Sequence, residues 1–152
     1  MSRHLDNDYV IDLMDRLKRI PADARPQWGT LDRQGLIEHF IWFVRHSMGR
    51  SKRVPYMGNW LSRFIIAPLI LNGILPIPKN LQFPKWLRET GFNGREPGDE
   101  ETLHALLEEY LQLVQADEFT PAAHPAFGHI GVDGWDRLHI RHFEHHFKQF
   151  GV

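Results

Sequence analysis

The sequence predicts an all-α protein, a four-helix bundle with a helical and irregular insertion between the second and third principal helices. Three observations lead to this prediction. Four segments repeat apolar residues at helical spacing, and no segment shows the alternation of a half-buried strand. Apolar residues also make up 42% of the 152 residues, enough for one compact domain over residues 1–152 with its own core.

The first principal helix is predicted to run from Asp6 or Asn7 to about Ile20. Either residue at its start can cap the N-terminus, because its side-chain oxygen accepts a bond from a free backbone N–H. Pro21 ends the helix, since proline has no N–H to donate. The apolar positions recur at helical spacing at Val10, Leu13, Leu17 and Ile20.

The second principal helix is predicted to start near Thr30 or Asp32 and to end at about Met48, before Gly49. Only a narrow strip of this segment is polar, at Gln34, Glu38 and Arg45. A helix that is apolar on its other sides has to be buried on them, so we expect it to be central. His39 lies inside this helix.

The segment from Gly49 to Pro97 has a mixed composition and separates the second and third principal helices. Asn59 is expected to cap an apolar helix that is kinked or broken at Pro68. Later prolines predict an extended, irregular path, at Pro76, Pro78 and Pro84. Long segments of this kind are often functional or cover a site, so we expect the insertion to cover one end of the bundle as a lid.

The last two principal helices are predicted from their capping residues and apolar patterns. Asp99 is expected to cap the third helix, which has a regular amphipathic pattern. The last helix is predicted from Trp135 to Phe150. Asp133 is its predicted N-cap, with Asp136 in a role like that of a capping box.

The last helix carries four of the chain's ten histidines. At about 100° per residue, one side of it presents Trp135, His139, His142, His146 and Gln149. Charged residues cover the opposite side, so the histidines lie on the stripe that should face the interior. Buried imidazoles need partners, and a metal ion is one such partner.

His142 and His146 are four residues apart, so their rings share one helical face and can bind one ion. His39, from the buried second helix, is the third candidate ligand. Three neutral imidazoles leave a coordination position open, as in catalytic sites. All-nitrogen ligation suits a divalent transition metal such as zinc, nickel, iron or copper, of which we expect zinc or nickel. The alternative is that these histidines bond to backbone carbonyls or to one another, and their spacing alone favours neither interpretation.

Other polar residues are candidates for the surroundings of this site. Gln149 is expected to hydrogen-bond a ligating histidine or the substrate. His46 lies two turns beyond His39 and His139 lies one turn before His142; each either supports the site or packs in the core. Further candidates for a pocket mouth or for substrate contacts are His129, Arg53 and Tyr56.

Two sequence blocks carry a resemblance to a known family. His39 in LIEHF and the H-x-x-H-H-x-x-Q pattern from His142 to Gln149 resemble the DinB/YfiT-like superfamily of metal-dependent four-helix bundles. The tail from His124 to Gly151 resembles one branch of it, in which a His-Pro-x-Phe-Gly turn precedes a Trp and a terminal His-His-x-x-Gln-Phe-Gly. The resemblance implies that His39, His142 and His146 hold the metal. It also implies a reaction with small thiols, because some members transfer mycothiol, bacillithiol or glutathione or use them in isomerisation.

These inferences predict a metal-dependent enzyme, first of all a small-thiol-dependent S-transferase. The chain has no cysteine, so a low-molecular-weight thiol would have to arrive as a co-substrate. A metal-dependent hydrolase is the alternative, since it needs only bound water. A hypothesis of another class is a non-catalytic bundle that binds a small ligand or a partner. The sequence identifies no catalytic residue beyond the ligands.

Composition and charge restrict the classes of binding partner that we expect for the chain. The formal net charge of −1 and the lack of a basic stripe argue against nucleic acid. The most apolar stretch, from Trp60 to Leu75, is shorter than the roughly 20 residues of a membrane span, so no membrane partner is expected. The N-terminus has no apolar core of the signal-peptide type, which predicts a cytoplasmic protein. The expected partners are a small-molecule substrate and a second copy of the chain, with the apolar stretch in the homodimer interface.

Overall fold

The computed structural model describes residues 4–152, and this part of the chain is helical without a named strand. The α-helices are α1 (Asn7–Arg19), α2 (Arg33–Ser47), α3 (Ala67–Leu71), α4 (Lys85–Arg88), α5 (Glu100–Gln115) and α6 (Gly131–Phe150). A π-helical stretch, Ser62–Ile66, leads directly into α3. The predicted all-α fold class is confirmed.

The four long helices α1, α2, α5 and α6 share one apolar core. Helix α2 packs against both α5 and α6, and α1 packs against α5. The largest side chains buried in this core include Leu13, Leu17, Phe40, Ile41, Leu103, Leu107, Tyr110, Phe143 and Phe147. Burying a side chain of this size stabilises the fold by about 1.5–3 kcal/mol, so this core is the main source of stability.

A second apolar cluster joins the insertion to the bundle. Trp42 and Phe43 of α2 contact it from one side, and Trp135 and Leu138 of α6 from another. The insertion supplies the buried residues Val54, Ala67, Ile70 and Leu87. Helix α2 therefore contributes to both clusters, which explains why so little of its surface is polar.

The structure places an aspartate N-cap at three of the predicted helix starts. The side chain of Asp6 accepts a bond from the backbone N–H of Tyr9 and thereby starts α1. In the same way Asp32 starts α2 and Asp99 starts α5. These aspartates end the preceding loops because they satisfy N–H groups that lack a partner in the first helical turn.

The start of α6 differs from its prediction. The helix begins at Gly131, earlier than Trp135, and no side chain caps it. Asp133 therefore lies inside the first turn, where its charge favours the helix dipole. Asp136 has no capping role either, because its carboxylate accepts a 2.7 Å bond from the backbone N–H of Leu5.

The insertion begins its helical part as expected, but Pro68 does not break it. Asn59 accepts a bond from the backbone N–H of Ser62 at 2.9 Å, as a cap does. The backbone then widens into the π-helical turn before Pro68, where the N–H of Ala67 bonds to the carbonyl of Ser62. A wider turn accommodates the missing N–H and the bulk of the proline ring without interrupting the helix.

The apolar stretch from Trp60 to Leu75 lies partly on the surface. Trp60, Phe64 and Ile74 are 68%, 60% and 68% exposed, so these side chains are not part of either core. In the part of the chain that the structure describes, none of the helices has both the length and the apolar character required to cross a lipid bilayer. The homodimer expected at this stretch stays a prediction.

The capping assignment can be tested with two matched substitutions. Asp6→Ala removes a side-chain cap and is expected to lower the free energy of unfolding by about 1 kcal/mol. Asp133→Ala removes an acidic residue that caps nothing and should lower it by less than about 0.5 kcal/mol. Urea denaturation of both variants measures the difference. A larger loss for Asp133→Ala would contradict the observed start of α6.

Candidate metal centre

Helices α2 and α6 bring three imidazole rings together at one end of the bundle. His39 comes from α2, and His142 and His146 come from successive turns of α6. One ring nitrogen of each lies within 4.8 Å of the others, so the group could hold a metal ion. These are the three ligands predicted from the sequence, and their role as ligands stays a prediction.

The ring of His39 is oriented by the insertion. Its Nδ1 lies 2.7 Å from the carbonyl oxygen of Gly94. A carbonyl only accepts, so Nδ1 carries the proton and Nε2 keeps a lone pair. That Nε2 lies 3.0 Å from Nε2 of His142 and therefore points into the three-histidine group.

The ring of His146 is oriented by Gln149. The amide Nε2 of Gln149 donates to the carbonyl of Trp28 at 2.8 Å, so its Oε1 faces the other way. This oxygen accepts a bond from Nδ1 of His146 at 2.7 Å. The proton is again on Nδ1 and the lone pair on Nε2, as in histidines whose outer nitrogen is held by an acceptor.

The donor set fits a divalent transition metal. The 3.0 Å between Nε2 of His39 and Nε2 of His142 is close to the roughly 3.3 Å between two nitrogens at zinc bond lengths in a tetrahedral site. Nδ1 of His142 is buried and has no hydrogen-bond partner among residues 4–152. Nε2 of His142 faces the lone pair on Nε2 of His39, so the two nitrogens either share one proton in a hydrogen bond or are both free to bind an ion between them.

Burial keeps these imidazoles neutral at physiological pH. It lowers the pKa of His39 to about 4, against the opposing effect of the hydrogen bond that its Nδ1 donates to the carbonyl of Gly94. Burial, with a contribution from His39, lowers the pKa of His146 to about 3. The pKa of His142 lies well below its ordinary value for the same reason, with the neighbouring histidines adding to the effect. Neutral rings are the form that binds a metal ion, because protonation would occupy the lone pair.

A cavity of about 750 Å³ opens over the three histidines. Its walls are largely aromatic, and they include Trp42, Phe43, Phe83, Phe92 and Phe127. The insertion supplies a large share of the lining, including residues 77, 78 and 80–84 and several residues between 88 and 95. The expectation that the insertion covers one end of the bundle agrees with this position.

His46 and His139 occupy different surroundings. His46 lines the cavity, with Nε2 3.3 Å from the carbonyl of Ala123 and Nδ1 3.3 Å from Oγ of Ser51. His139 is fully buried and lies 3.0 Å from Oγ of Ser47. The ring of His139 packs among aromatic side chains and is not part of the cavity wall. Neither residue makes a hydrogen bond to a candidate ligand.

The other predicted pocket residues meet in a second, smaller cavity of about 380 Å³. Arg53, Tyr56 and His129 line it, together with His46 and His124. His46 and His124 also line the larger cavity, so the two cavities are neighbours. The structure therefore separates these three residues from the three-histidine group.

The sequence analysis did not identify Gly94 and Arg95. Gly94 has a φ of 66°, a left-handed conformation that glycine adopts readily, and its carbonyl orients His39. Arg95 follows directly and lines the larger cavity. The Asn93-Gly94-Arg95 sequence signals a turn, but nothing in the sequence shows where that turn docks.

The protein is therefore an all-α bundle with a candidate metal centre of three histidines beside a largely apolar cavity. The chain belongs to the family described as a protein of unknown function (DUF1569), which matches residues 10–151. This family is related to the DinB-like superfamily, in agreement with the coarse resemblance of the sequence. Comparison with curated proteins and with solved structures gives no match.

The role of Gln149 can be tested by metal affinity. Gln149→Leu removes the acceptor that orients His146 and is expected to weaken zinc binding about 10- to 100-fold. Gln149→Glu also loses the amide donor to Trp28 but keeps an acceptor oxygen, so it should retain affinity within a few-fold of the unmodified protein. Competition titration with a zinc-binding dye measures both. Equal affinities in the two variants would show that this acceptor does not orient His146 for binding.

Proposed function

We propose that the protein is a metal-dependent enzyme that acts on a small organic molecule in the larger cavity and that it transfers a low-molecular-weight thiol. The observation that carries this proposal is the convergence of three imidazole nitrogens, within 4.8 Å of one another, on the floor of a cavity of about 750 Å³. The candidate metal site is thus adjacent to the cavity in which a substrate would bind, as catalysis requires.

The three histidines would hold the ion. When bound, a divalent transition metal such as zinc or nickel supplies Lewis acidity, which lowers the pKa of a coordinated thiol or water. Three protein ligands are the number found in catalytic zinc sites, since structural sites close all four positions. His39 and His146 keep their ring orientation through Gly94 and Gln149, so they need no rearrangement to present their lone pairs.

The cavity suits small substrates with apolar bodies. Its volume lies within the roughly 300–1,000 Å³ of ligand pockets, enough for a thiol and a second small molecule. Trp42, Phe83 and Phe92 contact one another edge to face and form a continuous aromatic wall. Such a wall excludes water and strengthens electrostatic interactions inside the cavity.

Charge distribution favours thiol transfer over hydrolysis. Within residues 4–152, the acidic and basic side chains that line the cavity are Arg88 and Arg95, both positive. Metal-dependent peptide hydrolysis commonly uses a carboxylate as general base, whereas a positive wall stabilises an anionic nucleophile. In the transfer, the thiol sulfur forms a bond to an electrophilic carbon of the second substrate as the bond to the leaving group breaks. The proton of the thiol departs with the leaving group.

Thiol binding to the zinc-loaded protein tests this function. Trp28 and Trp42 line the cavity, so tryptophan fluorescence reports occupancy. Glutathione and cysteine are expected to bind at least about tenfold more tightly than their S-methyl counterparts, because only a free thiol can lose its proton. His142→Ala should abolish this difference.

Two results would overturn the assignment to a transferase. The first is equal affinity of the zinc-loaded protein for the thiols and their S-methyl counterparts. The second is cleavage of a simple ester such as 4-nitrophenyl acetate at a rate that does not depend on thiol and is lost in His142→Ala. The second result would assign the site to a hydrolase.

A further inference from the structure

The side chain of Arg95 lies against α2 at Gly35, where a larger residue would displace the guanidinium. A Cβ atom at Gly35 would lie 2.7 Å from a terminal nitrogen of Arg95 and 2.9 Å from its central guanidinium carbon. Gly35 has an ordinary helical backbone, so it is needed here for space and not for an unusual φ. Glycine weakens a helix relative to alanine, and at this position it lets the guanidinium lie directly against the backbone of α2.

The turn that carries Arg95 is held on α2 by three contacts. The carbonyl of Gly94 accepts from Nδ1 of His39 at 2.7 Å, and the N–H of Glu96 bonds to the carbonyl of Glu38 at 3.1 Å. The carboxylate of Glu96 also pairs with Arg45 at 2.8 Å. Arg95 is thus fixed on both sides by neighbours that are bonded to α2.

Within residues 4–152 the guanidinium of Arg95 forms no ion pair with a carboxylate, unlike three arginines at or next to α2. Arg33, Arg45 and Arg50 each form an ion pair with a glutamate. Within residues 4–152, no hydrogen bond or ion pair involves the side chain of Arg95. A Cβ atom at Gly35 would also lie 2.9 Å from Oδ1 of Asp32, the N-cap of α2, and this oxygen accepts the capping bond from the N–H of Gly35 at 2.7 Å.

Arg95 faces the same cavity as the three histidines. Gly35 lies one turn before His39 on α2, a rise of about 6 Å along the helix. The positive charge is close enough to disfavour protonation of His39, which adds to the effect of burial on the pKa of that ring. A half-buried, unpaired cation beside an apolar cavity is a binding group for an anion.

We propose that Arg95 binds a carboxylate group of the molecule that occupies the cavity and thereby positions the rest of that molecule over His39, His142 and His146. A guanidinium donates two parallel N–H bonds to the two oxygens of a carboxylate, and its single positive charge balances a single negative one. The ligand class is a small monocarboxylate with an apolar body. This inference rests on the proposed function for its catalytic meaning, but the binding step can be tested separately.

The probes are phenylacetate, 3-phenylpropanoate and 4-phenylbutanoate, each compared with its neutral primary amide. Calorimetry or tryptophan fluorescence measures their binding to the full chain as purified and after metal removal by a chelator. In both forms the best carboxylate is expected to bind at least about tenfold more tightly than its amide. Arg95→Gln should remove this preference while leaving the affinity for the amide unchanged.

Two further variants separate anion binding from general damage to the fold. Arg53→Gln, in the second cavity, should keep the preference for the carboxylate. Gly35→Ala should reduce the preference, because the added methyl group occupies the space of the guanidinium. Circular dichroism and the unchanged amide affinity establish that each variant is folded.

Two results would overturn the role of Arg95. They are the absence of carboxylate binding and a preference that survives in Arg95→Gln. If the surviving preference disappears on metal removal, the carboxylate binds the metal instead. If the protein binds no metal but still prefers the carboxylate through Arg95, the proposed function is refuted and the role of Arg95 is supported.

Discussion

The geometry of the three-histidine group depends on the acceptors that hold the outer nitrogens of its rings. The carbonyl of Gly94 holds His39, and the side chain of Gln149, itself bonded to the carbonyl of Trp28, holds His146. Each bond decides which nitrogen carries the proton and so directs a lone pair inward. The insertion and the loop before α2 are therefore as necessary to the site as the two helices that carry the ligands.

This arrangement explains why polar groups are tolerated in such an apolar region. Phe40 and Phe43 pack against the histidine rings and exclude water from them. That burial disfavours charged imidazoles, which keeps them neutral and able to donate electron pairs. The same exclusion of water makes the nearby charge of Arg95 more effective, because electrostatic interactions strengthen as the local dielectric falls. One physical condition, partial burial beside aromatic side chains, thus serves both the candidate metal ligands and the proposed anion-binding group.

Much of the fold could be predicted because local signals agreed with the global packing. Asp6, Asp32 and Asp99 each precede an apolar helical pattern and cap it. The pairing of His142 with His146 follows from helical spacing, and the burial of α2 pointed to His39. The start of α6 was predicted wrongly because Asp136, which resembled part of a capping box, accepts a bond from the backbone N–H of Leu5 instead.

The rest of the site depends on tertiary structure. His139 and His142 lie on the same buried face of α6, and the sequence could not show that the ring of Tyr110 packs against His139. The contributions of Gly94 and Arg95 depend on the path of the insertion, which no periodic pattern specifies. From the sequence, Gly35 is only a residue of low helix propensity, and its contact with the guanidinium of Arg95 is visible only in the structure.

Elemental analysis of the untagged protein after gel filtration measures whether His39, His142 and His146 hold a metal ion. We expect about one transition-metal ion per chain, lost in His39→Ala and in His142→Ala. His104→Ala is the matched control, since His104 is exposed on α5 outside the group, and this variant should keep the metal. A metal-free protein that also takes up neither zinc nor nickel would show that the three histidines are not a metal site.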